Sequence, residues 1–231
     1  MDSSTFIDST VVEWLNENVI FVKINGKPDN KKATEFAISH GVKGYPTYIL
    51  TSAAGEEIDR GIGFYESAEF LTEFENFLAG INTLADYESR AEKTPDADLF
   101  FKVAEKYKWR GASTTAEDWY QQSLEAEVGS SDSLRRECFF ALADMAYRNK
   151  QFDVAHTRFQ MLIDKYSEHL YGELGYIYQA ICYRNNEQTE KAIARFADYL
   201  TAYPKGEEIE YANKQIAKLS EALKEEQEET E

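Results

Sequence analysis

The chain has 231 residues, a formal net charge of −17 and 43% hydrophobic residues, so it can bury a core in one large or two ordinary domains. The acidic balance excludes nucleic acid and anionic membrane as expected partners, because few cations are available to neutralise phosphates. The sequence has no apolar run of about 18 residues, which predicts no membrane span, and its first residues do not have the pattern of a signal peptide.

Cysteine and histidine residues give no sign of a reactive site. The two cysteines, Cys138 and Cys182, and the three histidines lack the spacing of metal ligands. We expect buried, inert thiols, with a bridge between the two cysteines as the alternative that sequence leaves open. The sequence also lacks a Gly-rich phosphate loop and a nucleophile elbow. We therefore predict no catalytic residue, no metal and no cofactor for the chain as given.

The first 80 residues alternate between helix and strand patterns. Capping residues at Asp8-Ser9-Thr10 predict a helix start, and the β-branched run at 19–24 predicts a strand buried on both faces. The remaining predicted elements are a helix at 31–40 that ends at Gly41, strands at 47–52 and 57–62 around a turn, and a helix at 67–79 with Ser67 as its N-cap.

A proline opens the strand at 47–52. Pro46 has no N–H and therefore suits the mouth of a strand better than its middle. From the dipeptide alone a trans bond is favoured, because only about 5–6% of X-Pro bonds in folded proteins are cis. The order of the surrounding elements favours a cis bond between Tyr45 and Pro46.

The segment Gly41-Val-Lys-Gly-Tyr-Pro-Thr47 and the elements around it resemble the later part of a thioredoxin fold. In that family a cis proline precedes the fourth strand and faces the redox site. The resemblance implies that Tyr45, Pro46 and Thr47 contact a bound peptide in the manner of a β-strand. The family's Cys-x-x-Cys is absent, so the chain has no low-pKa thiolate to attack a disulfide.

The first six residues, Met1-Asp-Ser-Ser-Thr-Phe6, resemble the continuation of the active-site helix in extracytoplasmic relatives. This implies that Met1 is an internal methionine of a longer protein and that the Cys-x-x-Cys lies upstream. The family's central strand, between those matched by 19–24 and 47–52, would also lie upstream. Either these two strands then pair directly, or the half-domain borrows a strand from another chain and self-associates.

From residue 82 onward the apolar period near 3.6 predicts helices only. Three segments begin at Ala116, Ala155 and Ala192, and each has an aromatic residue four positions later. Small residues let paired helices approach closely, and large aromatics fill the groove between them. The pattern resembles about three tetratricopeptide repeats over residues 96–204, followed by a capping helix at 206–224.

The sequence thus predicts an α+β two-domain chain, in which a partial thioredoxin-like α/β unit precedes an all-α tetratricopeptide-like helical-repeat domain. The predicted divisions are a thioredoxin-like domain at 1–80, a connecting helix or linker at 81–95, the repeats with their capping helix at 96–224, and an acidic, frayed tail at 225–231.

The favoured function is a non-catalytic protein–protein interaction module that binds a partner protein or peptide through the repeats. The alternative is a thiol–disulfide oxidoreductase whose Cys-x-x-Cys is encoded upstream. We expect Lys106, Lys108, Arg110 and the pair Arg135-Arg136 to lie on solvated helix faces, with a grip on a peptide carboxylate as the alternative. A location in the cell envelope or periplasm follows from the resemblance alone, and the cytoplasm follows if Met1 is the true start.

Overall fold

The computed structural model describes residues 1, 4–26 and 30–228. After a short 3-10 helix at Thr5–Ile7, its elements are α1 (Ser9–Asn18), α2 (Lys31–Ser39), β1 (Thr47–Thr51), β2 (Glu57–Ile62), α3 (Ser67–Leu78), α4 (Leu84–Lys93), α5 (Ala97–Trp109), α6 (Ser113–Glu125), α7 (Asp132–Arg148), α8 (Phe152–Tyr166), α9 (Leu170–Asn185), α10 (Thr189–Ala202) and α11 (Ile209–Glu228).

The chain divides into two compact units, Met1–Gly129 (unit 1) and Ser130–Glu231 (unit 2). The described residues are mostly helical, with one two-stranded sheet, which agrees with the helical-repeat part of the predicted fold class. The thioredoxin-like α/β unit stays a prediction. The predicted divisions at residues 80 and 95 lie inside unit 1 and also stay predictions.

The sheet of unit 1 is an antiparallel hairpin. Thr47 lies opposite Ile62 and Leu50 opposite Asp59, so β1 and β2 have nearly the predicted bounds. The peptide bond before Pro46 is cis, as the order of elements favoured. Gly41 ends α2 with φ +61°, and a Cβ there would lie 2.1 Å from the carbonyl oxygen of Arg110. Only glycine therefore fits where this loop meets the end of α5.

One face of the hairpin packs on an aromatic core. Leu50 and the half-buried Tyr48 lie against Val11, Leu15, Phe70, Phe74 and Phe77 of α1 and α3. The predicted cap of α1 is confirmed, since the Asp8 carboxylate accepts a hydrogen bond from the Thr10 amide at 2.9 Å.

The predicted cap of α3 is wrong by one residue. Glu66, rather than Ser67, is the N-cap, and it forms a capping box with Glu69. The amide of Glu66 donates to the Glu69 carboxylate at 3.2 Å. The reciprocal pair satisfies two amides that would otherwise lack partners at the helix end, which explains why the longer Glu replaces Ser as the cap.

The predicted strand at 19–24 is not present. These residues belong to no strand in the described part of the chain, and β1 pairs there with β2 alone. Ile20 is 95% exposed and Val22 is 69% exposed. A strand exists only where its backbone has a neighbour, so the β-branched composition could not produce one alone. The hypothesis that 19–24 pairs directly with 47–52 is therefore also wrong.

Helices α5 to α10 show why the alanine and aromatic pattern recurs. Ala155 and Ala192 are fully buried, as are Phe159 and Phe196, which lie four residues after them. In unit 1, Ala116 and Tyr120 of α6 are fully buried in the same way. The small residue allows each second helix to approach its neighbours and the aromatic fills the space beside it, as the sequence predicted.

The capping helix and the tail differ from their predicted bounds. The last helix, α11, begins at Ile209 and continues to Glu228, so residues 225–228 are helical and the predicted frayed tail is wrong for them. Residues 229–231 lie outside the described residues. Ala212 of α11 is buried against Ile177 and Phe196, as expected of a helix that closes a repeat array.

Candidate protein-binding surface

The first helices of the pairs in unit 2 carry a row of polar and aromatic side chains. We call it the first-helix row; its members are Asp144, Tyr147 and Arg148 of α7, Tyr178, Arg184 and Asn185 of α9, and Tyr211 and Gln215 of α11. Asn185 and Arg148 are exposed, and the other members are partly buried.

At the junction of α7 and α9 the row is held by one hydrogen bond and one ring contact. The Asn185 side-chain amide donates to the Tyr147 hydroxyl at 3.0 Å, and the rings of Tyr147 and Tyr178 meet edge to face at 6.0 Å. Arg148 donates to Asp144 at 2.6 Å. Burial, followed by the nearby Asp144 carboxylate, raises the pKa of Tyr178, so its hydroxyl stays protonated to a higher pH than that of an ordinary tyrosine.

At the junction of α9 and α11 the row is held by a guanidinium group. Arg184 donates to the Gln215 side-chain oxygen at 2.8 Å and to the Tyr211 hydroxyl at 3.4 Å. The Tyr211 ring packs edge to face on Phe196 at 6.0 Å. These contacts orient Arg184 and Tyr211 before any ligand arrives, which lowers the entropy cost of binding.

A layer of buried rings supports the row from below. Phe159 of α8 stacks on Tyr178 with ring centroids 5.0 Å apart, and Phe140 of α7 packs edge to face on Tyr178 at 5.5 Å. The sequence predicted that Phe159, four residues after Ala155, fills the groove between paired helices, but it did not identify Arg184, Asn185 or Tyr211 as surface residues. These three residues were only weakly indicated by the sequence, because polar residues on a helix usually mark only a solvated face.

The groups of the row are suited to binding. Phenol, amide and guanidinium groups can form hydrogen bonds with an extended peptide, and the rings offer apolar contact beside them. The thiol of Cys182 on α9 is buried, and burial raises its pKa to about 12, so it is not a nucleophile at neutral pH.

The predicted peptide-contacting residues lie together at the mouth of β1. Tyr45 is 66% exposed, the Thr47 hydroxyl donates to the Gly44 carbonyl at 2.7 Å, and the Pro46 carbonyl accepts from the Gly63 amide at 2.9 Å. Part of the backbone expected to bind a peptide is thus already engaged within the chain. The peptide-contact role of these residues stays a prediction.

Two of the cations predicted to lie on solvated faces at the end of α5, Lys106 and Arg110, pair with a carboxylate inside unit 1. Asp59 of β2 is fully buried, and it accepts from Arg110 at 2.7 Å and pairs with Lys106 at 2.9 Å. The Leu84 amide donates at 2.8 Å to the Asp59 oxygen that also pairs with Lys106. Arg110 also pairs with Glu57 of β2 at 3.0 Å. Neither expected role fits Lys106 and Arg110, because the two carboxylates of β2 engage both cations within unit 1.

The pair Arg135-Arg136 does not form an open basic site either. Arg136 forms an ion pair with Asp132 one turn earlier on α7, and its guanidinium lies 5.6 Å from the centre of the Tyr166 ring. Both contacts engage the cation within unit 2.

The described residues contain neither a metal-ligating cluster nor a membrane-spanning helix. Nowhere in 1, 4–26 and 30–228 do three or more His, Cys, Asp or Glu side chains form a group that could hold a metal ion. Among the helices that the structure describes, none is both long enough and apolar enough to span a membrane.

Comparison with known proteins bears mainly on unit 2. The family described as tetratricopeptide repeat matches residues 176–206, which include most of α9 and all of α10. The search of curated proteins finds no match. Among solved structures, the crystal structure of MamA is 13% identical, with a TM-score of 0.44, covering 72% of this chain and 99% of that one. That likeness is too distant to support an argument, so the repeat assignment depends on the family match and on the packing of α9 and α10.

Proposed function

We propose that this protein is a non-catalytic interaction protein whose unit 2 binds an extended peptide segment of a partner protein along the first-helix row. The observation that carries the proposal is the continuity of that row across α7, α9 and α11, through Asn185 with Tyr147 and Arg184 with Gln215. The tetratricopeptide match at 176–206 supports it, because such repeats bind peptides on the face that their first helices form.

We further propose that residues 1–80 are a thioredoxin-like remnant without redox activity. The hairpin that follows Pro46 and the helix after it, which come in the expected order, support the resemblance. No observation favours the oxidoreductase alternative. Cys138 and Cys182 are only 1% and 2% exposed, so we expect this chain to give no turnover in an insulin-reduction assay. Turnover that survives Cys138→Ser with Cys182→Ser would contradict the redox-inert part of the proposal.

Peptide selection tests the binding proposal and does not require an identified partner. The full chain would be immobilised and used to select from a display library of random twelve-residue peptides, and the affinities of selected peptides would then be measured by fluorescence anisotropy. We expect dissociation constants in the micromolar range, about 1–100 μM, which is ordinary for a short peptide that must be ordered on binding.

Two variants locate the binding site. Asn185→Ala removes an exposed member of the row. We expect it to raise the dissociation constants of the selected peptides by about fivefold or more, which corresponds to a loss of about 1 kcal/mol of binding free energy. Thr157→Ala on α8 is the matched control, because Thr157 is also exposed and polar but lies on a second helix. Equal effects of the two substitutions, or no effect of Asn185→Ala, would contradict binding along the first-helix row.

A further inference from the structure

One asparagine of the chain is followed by glycine, in the pair Asn25-Gly26. The main-chain nitrogen after an asparagine can attack the carbonyl carbon of the asparagine side chain when the backbone can turn toward it. Glycine allows this best, because it has no side chain to obstruct the approach and reaches more backbone conformations than any other residue. The other nine asparagines of the sequence precede larger residues.

The pair lies in an exposed, irregular segment. Residues 19–26, between α1 and α2, belong to no helix or strand. Asn25 is exposed and Gly26 is half-buried. The side-chain amide of Asn30 donates to the main-chain carbonyl of Asn25 at 3.3 Å, a bond that does not involve the side-chain carbonyl that the reaction requires. Regular hydrogen bonding therefore does not fix the backbone angles that must change before the Gly26 nitrogen reaches the Asn25 side chain.

Helices restrain the corresponding nitrogen at most other asparagines. Three of them lie inside α1, α3 and α11, namely Asn16, Asn76 and Asn213. At the end of α9 the Asn186 amide, which follows Asn185, donates to the Cys182 carbonyl at 3.0 Å. An amide that donates along a helix points away from the preceding side chain and cannot attack it without local unfolding.

We propose that Asn25 is a modification site at which the chain deamidates without an enzyme. The Gly26 amide gives its proton to hydroxide, and its nitrogen attacks Cγ of Asn25. An N–Cγ bond forms, the Cγ–Nδ2 bond breaks, and the side-chain nitrogen leaves as ammonia. Water then opens the resulting succinimide at either carbonyl, which gives aspartate or isoaspartate at position 25. The net reaction consumes water, releases ammonia and replaces a neutral amide with a carboxylate.

The position of Gly26 connects this reaction with the mouth of β1. A Cβ built on Gly26 would lie 2.6 Å from the Tyr45 hydroxyl oxygen, so the Tyr45 side chain packs directly on the main chain of Gly26. Isoaspartate adds a carbon atom to the main chain immediately before Gly26. We therefore expect the modification to displace Gly26 from Tyr45, a residue predicted to contact a peptide.

Peptide mapping of the full chain tests the site after incubation at about 37 °C and about pH 8. Trypsin releases Asn25 and Asn30 on one peptide, residues 24–31, because Lys27 precedes proline. Fragmentation of this peptide should place a mass increase of about 1 Da on Asn25. Asn30 is the internal control, since it is also exposed but precedes lysine. The rate at Asn25 should rise at least about tenfold between about pH 6 and about pH 9, because the attacking amide must lose its proton.

Ion-exchange chromatography of the intact protein gives a second readout, because each modified chain carries an additional negative charge. Asn25→Gln should abolish the acidic species that forms first, since the longer side chain closes a ring less readily. Asn16→Gln is the matched control, because Asn16 is also exposed but lies within α1, and it should leave that species unchanged.

The same incubation in urea tests the part played by the structure. The rate at Asn25 should change by less than about tenfold on unfolding, because its segment is already irregular. A rate that rises more than that would overturn the proposal that the folded chain is reactive at this site. Equal modification of Asn25 and Asn30, or an acidic species that forms as fast in Asn25→Gln, would overturn it as well.

Discussion

At the scale of single residues, Asp59 joins the hairpin to the helices that follow it in unit 1. Its carboxylate receives Arg110, Lys106, the Leu84 amide and the amide of Arg60, the last at 2.7 Å. A carboxylate that is fully removed from water needs this complete set of partners, because the cost of desolvating it is several kcal/mol. The cluster therefore fixes the position of β2 relative to α4 and α5.

Replacing Asp59 tests this role. Asp59→Asn leaves Lys106 facing a neutral amide and Arg110 with Glu57 as its remaining carboxylate. We expect it to lower the free energy of unfolding by about 3–5 kcal/mol, as for one partner lost from a buried ion pair. Asp98→Asn is the control, because the pair of Asp98 with Lys102 is about half exposed and should contribute less than about 1 kcal/mol. Urea unfolding followed by circular dichroism measures both. Equal losses would contradict the structural role of Asp59.

Cys182 gives a prediction that depends on pH. Burial raises the pKa of its thiol to about 12, so the thiol stays protonated in the folded protein at pH 8–9, where an ordinary thiol begins to ionise. Because the folded pKa is the higher one, this residue's contribution to stability is constant below about pH 9 and is lost as the pH rises toward about 12.

Reaction with a thiol reagent such as DTNB measures this protection. At pH 8 we expect the folded chain to react at least about a hundredfold more slowly than the chain in urea, since reaction requires opening of the core around Cys138 and Cys182. If one thiol per folded chain reacts rapidly, the burial of one of the two cysteines is contradicted.

At the scale of elements, a buried carboxylate positions the last helix. The Glu173 side chain of α9 accepts from the Tyr199 hydroxyl at 2.6 Å and from the Glu207 amide at 2.7 Å, and Tyr199 accepts from the Glu208 amide at 2.9 Å. A carboxylate just before the first turn of α11 satisfies unpaired amides and complements the positive end of the helix dipole.

Glu173→Gln removes the charge but keeps the shape of the side chain. We expect it to cost about 1.5–3 kcal/mol, the usual contribution of a hydrogen bond to a charged group, and to speed amide exchange in α11 more than in α7. Glu221→Gln, an exposed position on α11, is the control and should have little effect. A uniform change of exchange across unit 2 would contradict a local role for Glu173.

The elements differ in how far the sequence could predict them. The start of α1 was predictable, because the hydrogen bond that caps it is made by the nearby Asp8 side chain. Helices α8 and α10 were predictable as well, because Ala155 and Ala192 belong to a sequence pattern that repeats along the chain. Residues 19–24 were not, since a strand depends on a neighbour that composition does not reveal. The position of Asp59 could have been noticed in the sequence, because a charged residue in the middle of a predicted strand is unusual. Its partners Lys106 and Arg110 could not, because they lie about fifty residues away in sequence, at the end of α5.

The candidate surface was only partly predictable, for a related reason. The sequence predicted paired helices that bind a protein, but not which side chains meet between first helices. The contact of Asn185 with Tyr147 spans 38 residues and that of Arg184 with Gln215 spans 31. Such contacts depend on how far each helix is rotated about its own axis. The spacing of apolar residues along the sequence determines that rotation only roughly.

At the scale of the whole molecule, both units are acidic. Unit 1 has 12 Lys and Arg against 23 Asp and Glu, and unit 2 has 13 against 19. A surface of this sign attracts basic segments and repels acidic ones. We therefore expect peptides selected on the chain to be neutral or basic.

The salt dependence of peptide binding measures this effect. For a basic peptide we expect the association rate to fall severalfold between about 50 and 300 mM salt, because the Debye length shortens across that range. An uncharged peptide of similar affinity serves as the control, and its association rate should change little. Selection of predominantly acidic peptides would contradict the electrostatic argument.

Hydrogen exchange measured by mass spectrometry on the full chain, with and without a selected peptide at saturation, shows which helices the peptide covers. If the first-helix row binds the peptide, protection will appear in α7 and α9, near Tyr147 and Asn185, and in the first turns of α11, and will be weaker in α8 and α10. Protection confined to α8 and α10, or to unit 1, would contradict the proposed binding surface.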